Sequence, residues 1–153
     1  MLKNRLARHV LAGFGGVLML AGVGTTGTAM AARFTATLNG DHVVGGGDPD
    51  GWGRLRVRVS DTLNTVCTDL EVRSIGRVTS AQILRGRPGE QGDPVVSLDR
   101  PGRDNDSEDC NNVGDELADE IQANPADYYV LVRTEEFPDG ALRGQLLPGR
   151  ARS

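Results

Sequence analysis

The chain has 153 residues, of which 25% are charged and only 4% are aromatic, and its formal net charge is −4. Binding to nucleic acid requires a clustered basic face, so an acidic chain of this kind excludes nucleic acid as the expected partner. The basic tail at 150–152 is too short to change that expectation.

The first 31 residues have the organisation of a secretory signal peptide. Three basic residues precede an apolar run at 10–23, and Ala29-Met30-Ala31 has the small-residue pattern of a cleavage site. The run is shorter than the ~20 residues that span a bilayer, so a retained membrane anchor is the weaker alternative. Cleavage would leave one domain, 32–153, in a secreted or extracytoplasmic location, with 14 Lys+Arg against 21 Asp+Glu. Contact with a membrane is expected only before cleavage.

Short segments of alternating apolar and polar residues predict a fold made mainly of β-strands. The predicted strands cover 33–38, 54–59, 65–72, 78–84, 94–98 and 128–134, and a last strand follows a turn at 137–140. A glycine-rich loop over 39–53 and a polar loop over 99–112 are predicted between them. Only 113–123 has helical spacing, with Val113, Leu117 and Ile121 four residues apart and Asn124-Pro125 as the stop.

The segment 53–72 predicts a hairpin with a specific register. If 61–64 form the turn, Arg56 faces Asp69 and Arg54 faces Glu71 across the two strands. Opposite charges in direct register stabilise such a pair by about 0.2–1 kcal/mol. The arginines at 54, 56 and 58 are therefore interpreted as a solvated, charge-paired face rather than as a ligand-binding ladder.

Two cysteines, Cys67 and Cys110, lie in the part of the chain that is predicted to be exported. In an oxidising compartment, one disulfide between them is the expected state. Neither cysteine has a second Cys or a His at ligand spacing, so a metal site at these residues is disfavoured.

Six stretches of the sequence together resemble the CHRD domain, a family first described in chordin. They are FTATLNG at 34–40, GDPDGWG at 47–53, VCTDLEVRSI at 66–75, VTSAQILRGRPGEQGDPVVSL at 78–98, NPADYYVLVRT at 124–134 and FPDGALRGQL at 137–146. The family has no settled activity, and its limited similarity to copper-zinc superoxide dismutase implies an immunoglobulin-like β-sandwich. The expected fold is therefore all-β, an immunoglobulin-like or superoxide-dismutase-like Greek-key β-sandwich with one short helix.

The resemblance fails where the family carries its most recognisable chemistry. The family has an Ala-His-Ile-His strand and a Val-Asn-Val-His strand, whose alternate histidines share a face and could converge on copper or zinc. This chain has Gln82, Leu84 and Arg133 at those positions, none of which is a useful ligand for either metal. His42 is the only histidine after the predicted leader, and one histidine does not make a specific site. No cofactor is therefore expected.

Three other features are candidates for function. Asp104, Asp106 and Glu108 are weak candidates for Ca²⁺ ligands, but the segment fails the EF-hand pattern, and a solvated acidic loop is the preferred interpretation. Trp52 either contacts a partner or folds back to cap the open end of the sandwich. No nucleophile with a base and no phosphate-binding loop is visible in the sequence, so no enzyme activity is predicted.

These observations favour a secreted, non-enzymatic module that is structural or binds an unidentified protein or cell-surface component. The alternative is a metal-binding or redox protein related to copper-zinc superoxide dismutase. A third and weaker hypothesis is an adhesion module stabilised by calcium through 104–109.

Overall fold

A computed structural model describes residues 31–149, so the basic tail and all of the predicted signal peptide except its last residue lie outside the described residues. The strands are Ala32–Asn39 (β1), Trp52–Ser60 (β2), Thr65–Arg73 (β3), Val78–Arg85 (β4), Pro94–Leu98 (β5), Asp106–Asn112 (β6), Tyr128–Thr134 (β7), Leu142–Gln145 (β8) and Leu147–Pro148 (β9). One α-helix, Asp115–Ala123 (α1), and 3₁₀ turns at Gly40–His42 and Pro125–Asp127 complete the described elements. None of these helices is long and apolar enough to cross a membrane.

The strands form one nearly closed antiparallel sheet. Their order is β5-β4-β7-β8-β1-β2-β3-β6, and β9 pairs with β1. Three pairs of neighbours are not consecutive in the chain, namely β4–β7, β8–β1 and β3–β6, so the sheet is not a simple meander. Asn111 Nδ2 donates to the Ser97 carbonyl at 3.1 Å, and this bond links the edge strands β6 and β5. The predicted all-β fold with a single short helix is confirmed.

One core fills the inside of the sheet. In β1 and β2 every second residue is buried, and the apolar side chains of both strands point inward, as the alternating pattern predicts. Helix α1 begins at Asp115 rather than at 113, and it buries Ala118 and Ile121 against the strands. Val113 and Leu117 are only partly buried against the same core.

The predicted register of the β2–β3 hairpin is confirmed. Arg56 pairs with Asp69 and Arg54 pairs with Glu71 across the two strands. Arg56 Nη1 lies 2.9 Å from Asp69 Oδ2, whereas Glu71 binds Arg73, also at 2.9 Å. The predicted charge pairing is therefore confirmed for Arg56, whereas Arg54 forms no salt bridge with Glu71.

The prediction of a loop over the whole of 99–112 is wrong, because 106–112 forms strand β6. Its residues pair with β3 in register, including Asp106 with Glu71 and Glu108 with Asp69. Strand β6 lies at the edge of the sheet, and its inward side chains bond to the neighbouring edge instead of entering the core: Ser107 Oγ donates to the Asp99 carbonyl at 2.8 Å. A strand without an apolar face gives no alternating pattern to recognise.

The predicted final hairpin is present, with its turn at 137–140. The Gly140 amide donates to the Phe137 carbonyl at 3.2 Å, and Gly140 has a φ of 150°, a value that favours glycine. The first strand of the hairpin, β7, is buried on both faces. Val130 lies in the main core, while Tyr129 and Leu131 form a second apolar cluster with Val43 and Leu84.

Candidate functional site

The predicted disulfide between Cys67 and Cys110 is present, with a Cα–Cα distance of 4.0 Å. The two cysteines are direct partners in the pairing of β3 with β6. The bridge therefore joins two adjacent strands and fastens the polar edge strand β6 to the sheet.

The three positions that the resemblance assigns to histidine lie together on the outer face of the sheet. Arg133 Nη1 donates to Gln82 Oε1 at 2.7 Å, and Leu84 is only 3% exposed in the second apolar cluster. A guanidinium offers no lone pair to a metal, and the carboxamide oxygen of Gln82 is already bonded to Arg133. These residues do not fit a copper or zinc site.

The other candidate ligands are spread along the chain. Asp106 and Glu108 lie in strand β6, and Asp106 Oδ1 accepts a hydrogen bond from Arg73 at 3.1 Å. His42 is exposed in the 3₁₀ turn that follows β1. Over residues 31–149, no three His, Cys, Asp or Glu side chains form a group that could hold a metal ion.

The outer side of β1 and β2 carries a surface that we call the arginine face, formed by Arg33, Arg54, Arg56, Arg58 and Trp52. All five side chains are exposed, and the register places Arg33 opposite Arg58. Of these arginines only Arg56 forms a salt bridge within the described residues. Trp52 is 46% exposed at the end of this surface, and its contact with a partner remains a prediction.

A cleft of about 640 Å³ lies on the same outer face of the sheet, next to the arginine face and towards β8, and we call it the side cleft. Thr35 and Thr37 of β1 and Arg143 and Gln145 of β8 form its floor. The 3₁₀ turn at Gly40–His42, the residues that follow it and the loop over 86–93 form the walls. A cleft of this size falls in the range of small-molecule sites, roughly 300–1,000 Å³.

Arg143 is the most unusual side chain of the side cleft, because it is a cation with only 3% of its surface exposed. Its Nη1 donates to the Glu90 carbonyl at 2.6 Å, and its Nη2 donates to the Arg87 carbonyl at 2.8 Å. The guanidinium carbon lies 3.7 Å from the centre of the Tyr129 ring, at cation–π distance. Burial lowers the pKa of Arg143 below its usual range, because it removes the charge from water.

Gln145 holds the same loop from the next outward-facing position of β8. Its Nε2 lies 2.7 Å from the Gly86 carbonyl, 2.7 Å from that of Ala126 and 2.9 Å from that of Tyr128. An amide nitrogen has two hydrogens, so these three contacts cannot all be separate hydrogen bonds. Gly144 lies between Arg143 and Gln145, where β8 approaches β1 so closely that an added Cβ would lie 2.3 Å from the Thr37 carbonyl oxygen.

The sequence did not reveal the role of this Arg-Gly-Gln segment, although it lies within a stretch of the family resemblance. Outward-facing polar residues on a strand are usually interpreted as solvated. The contacts of Arg143 and Gln145 are backbone carbonyls 17 to 59 residues away in the chain. Carbonyls carry no sequence signal, so no pattern in the sequence could have identified these partners.

A second polar cluster joins α1 to the sheet. The Tyr128 hydroxyl donates to Glu120 Oε2 at 2.9 Å, and the same carboxylate binds Arg85. Burial and then the hydrogen bond to Glu120 raise the pKa of Tyr128 to about 12. The hydrogen bonds from Arg85 and Tyr128 lower the pKa of Glu120. Arg85 and Glu120 also line an open cleft of about 490 Å³ beside α1. The bonds of the cluster anchor the helix to the sheet.

Comparison with known proteins gives one match. The model of a family described as the CHRD domain matches residues 34–146, which is most of the chain. No curated protein and no solved structure matches the chain. The matched family and the disulfide are both compatible with an extracellular location.

Proposed function

The chain belongs to the CHRD domain family, and we propose that it acts outside the cytoplasm as a non-enzymatic module, structural or binding a protein or another cell-surface component. The observation that carries the proposal is Trp52, which stays 46% exposed at the end of the arginine face. Tryptophan and arginine are the residue types most enriched at binding hot spots. This end of the arginine face is therefore the proposed contact.

The non-enzymatic part of the proposal is supported by the outer face of β4 and β7. The side chains at the three family histidine positions bond to each other or pack in an apolar cluster, as Arg133 and Gln82 do at 2.7 Å and as Leu84 does. A redox metal centre at these positions would need imidazoles that the chain does not have.

Binding can be tested with the exported protein, labelled and incubated with washed cells of the producing organism. Substitution of Trp52→Ala should abolish most of the retention, whereas Leu63→Ala should not change it. Leu63 is a matched control because it is an exposed apolar residue, 67% exposed, in the turn between β2 and β3. Equal loss with both variants would show non-specific apolar adhesion and would refute the proposed contact.

The metal alternative can be tested by elemental analysis of the exported protein purified without chelators. We expect no stoichiometric copper, zinc or calcium, no dismutation of superoxide, and the same thermal midpoint with and without EDTA. Stoichiometric copper or zinc with dismutation would overturn the proposal in favour of the redox alternative. Calcium with a midpoint lowered by EDTA would favour the adhesion hypothesis.

A further inference from the structure

We propose that the side cleft binds a small amphipathic carboxylate, with its carboxylate beside Arg143 and its apolar body against Val44 and Leu147. The side cleft adjoins the arginine face along β1, and Trp52 does not line it. Its occupation does not depend on the proposed contact at Trp52.

The apolar part of the inference comes from the distribution of exposed large apolar side chains. The described residues contain four of them, and two of the four, Val44 at 42% and Leu147 at 55%, line the side cleft. Pro88 adds a third apolar surface from the opposite loop. A ligand with an apolar body would remove these surfaces from water, which is favourable in proportion to the area covered.

The charge of the ligand follows from Arg143. Within residues 31–149, no carboxylate oxygen lies at salt-bridge distance from its guanidinium, and its two hydrogen bonds go to neutral carbonyl groups. Burial lowers the pKa of Arg143, and the Glu90 carboxylate opposes that shift from beyond salt-bridge distance. An anion in the cleft would offset more of the cost of burying this cation. Guanidinium also has five N–H donors, so donors remain for a carboxylate after the two carbonyl bonds.

The polar groups beside Arg143 fit a ligand with one charged end. Thr35 and Thr37 present exposed hydroxyls on the floor, and neither side chain has a hydrogen-bond partner among the described residues. Asp41 is the acidic residue of the lining, and its exposed position at the rim leaves its repulsion screened by water and salt. The attraction of Arg143 and the threonine hydroxyls for an anion is therefore stronger than the repulsion from Asp41.

The cleft is already formed without a ligand, because both walls are fixed to the sheet. Arg143 and Gln145 hold the loop over 86–93 through its carbonyls. On the other wall, the Gly47 amide donates to the Gly40 carbonyl at 3.0 Å, and the Asp48 amide donates to the Ala141 carbonyl at 2.9 Å. A preformed site loses little conformational entropy on binding.

The test uses the exported wild-type protein, labelled for NMR, with decanoate as the probe and 1-decanol as its uncharged counterpart. Decanoate should shift the amide signals of the residues lining the side cleft, and it should bind about tenfold more tightly than decanol, as expected for one charge-assisted contact. Equal affinity for the two probes, shifts confined to other surfaces, or no binding of decanoate below its micelle-forming concentration would each overturn the inference.

Variants then separate this site from the rest of the surface. Leu147→Ser and Val44→Ser should each weaken decanoate binding by roughly threefold or more, because each removes apolar contact area. The matched control Leu63→Ser should leave binding unchanged, and so should Trp52→Ala, which tests the proposed function separately. Unchanged binding in both cleft variants would refute the site. These two positions are exposed, so the variants are expected to fold even if a substitution of Arg143 does not.

Discussion

Strands β2 and β3 have one buried face and one face towards solvent, whereas β7 is buried on both faces. On the solvent face of the β2–β3 hairpin, arginines of β2 lie opposite acidic residues of β3, and these side chains stay partly exposed. On the outer face of β7 and β8, Tyr129 and Leu131 are covered by loops, and Arg143 is buried against them. Arginine side chains are therefore exposed to solvent on one half of the sheet, whereas on the other half Arg143 is buried and holds a loop.

This difference has an energetic basis. An exposed ion pair such as Arg56–Asp69 contributes little, because water and salt screen the charges and holding two long side chains costs entropy. Removal of the buried Arg143 guanidinium loses two charge-assisted hydrogen bonds, and only the Arg87 carbonyl keeps a second bond, from the Glu90 amide. We therefore expect the β2–β3–β6 half to depend on its ladder and its disulfide, and the β7–β8 half to depend on Arg143 and its apolar neighbours.

The largest expected effect is at the disulfide. Substitution of both Cys67 and Cys110 by alanine should lower the free energy of unfolding by up to about 4 kcal/mol, the chain-entropy value for a cross-link over 43 residues. Apart from Cys110, β6 has only polar residues, so its amides at 106–112 should lose hydrogen-exchange protection before those of β7. Urea unfolding and hydrogen exchange measure the two effects.

Reduced wild-type protein is the control for this variant, and it should show the same exchange pattern. If β7 lost protection as early as β6, the sheet would unfold as one unit. The proposed difference between its halves would then be wrong.

The second prediction compares two arginines on the two halves. Arg143→Met should lower the free energy of unfolding by about 3 kcal/mol, because two charge-assisted hydrogen bonds to carbonyls are lost at a buried position. Arg54→Met, at an exposed position without a salt bridge among the described residues, should change it by less than about 0.5 kcal/mol. Urea unfolding of both variants measures the contrast.

Proteolysis provides a second readout for Arg143→Met. The loop over 86–93 should become a cleavage site in this variant and not in Arg54→Met, because Arg143 bonds to the loop and Arg54 does not. A similar loss of stability in both variants, or an unchanged loop, would remove the distinction between the two arginines.

The part of the fold that could be predicted is the part whose strands have one apolar face. The β2–β3 register followed from the alternation of Leu55 and Val57 with arginines, and the disulfide followed from the cysteine count and the expected compartment. Strand β6 could not be predicted, because its inward residues bridge to β5 instead of packing in the core. Its identity as a strand depends on pairing with β3, which lies 43 residues earlier at the paired cysteines.

The candidate site was less accessible to prediction than the fold. Trp52 was identified as a candidate from its residue type alone, and its exposure is a property of the folded chain. The side cleft depends on two loops brought to β1 and β8 by hydrogen bonds to carbonyls, which any residue can supply. A buried arginine and a solvated arginine look the same in an alternating strand, so Arg143 could not be distinguished from Arg54 before the structure was known.

The smallest expected effect concerns the link between α1 and the buried strand β7, and it depends on pH. Tyr128→Phe should lower the free energy of unfolding by about 1 kcal/mol near neutral pH, because it removes the hydrogen bond to Glu120. The pKa of Tyr128 is raised to about 12 from a usual value of 10.0, so the unfolded chain loses this proton first as pH rises. The stabilisation is complete below pH 10 and is lost between pH 10 and about 12.

The difference in free energy of unfolding between wild type and Tyr128→Phe should therefore shrink across that interval, which urea unfolding at a series of pH values measures. Because other titrating groups are common to both proteins, a difference that stays constant up to pH 12 would mean that Tyr128 is not held in its protonated form by β7 and Glu120.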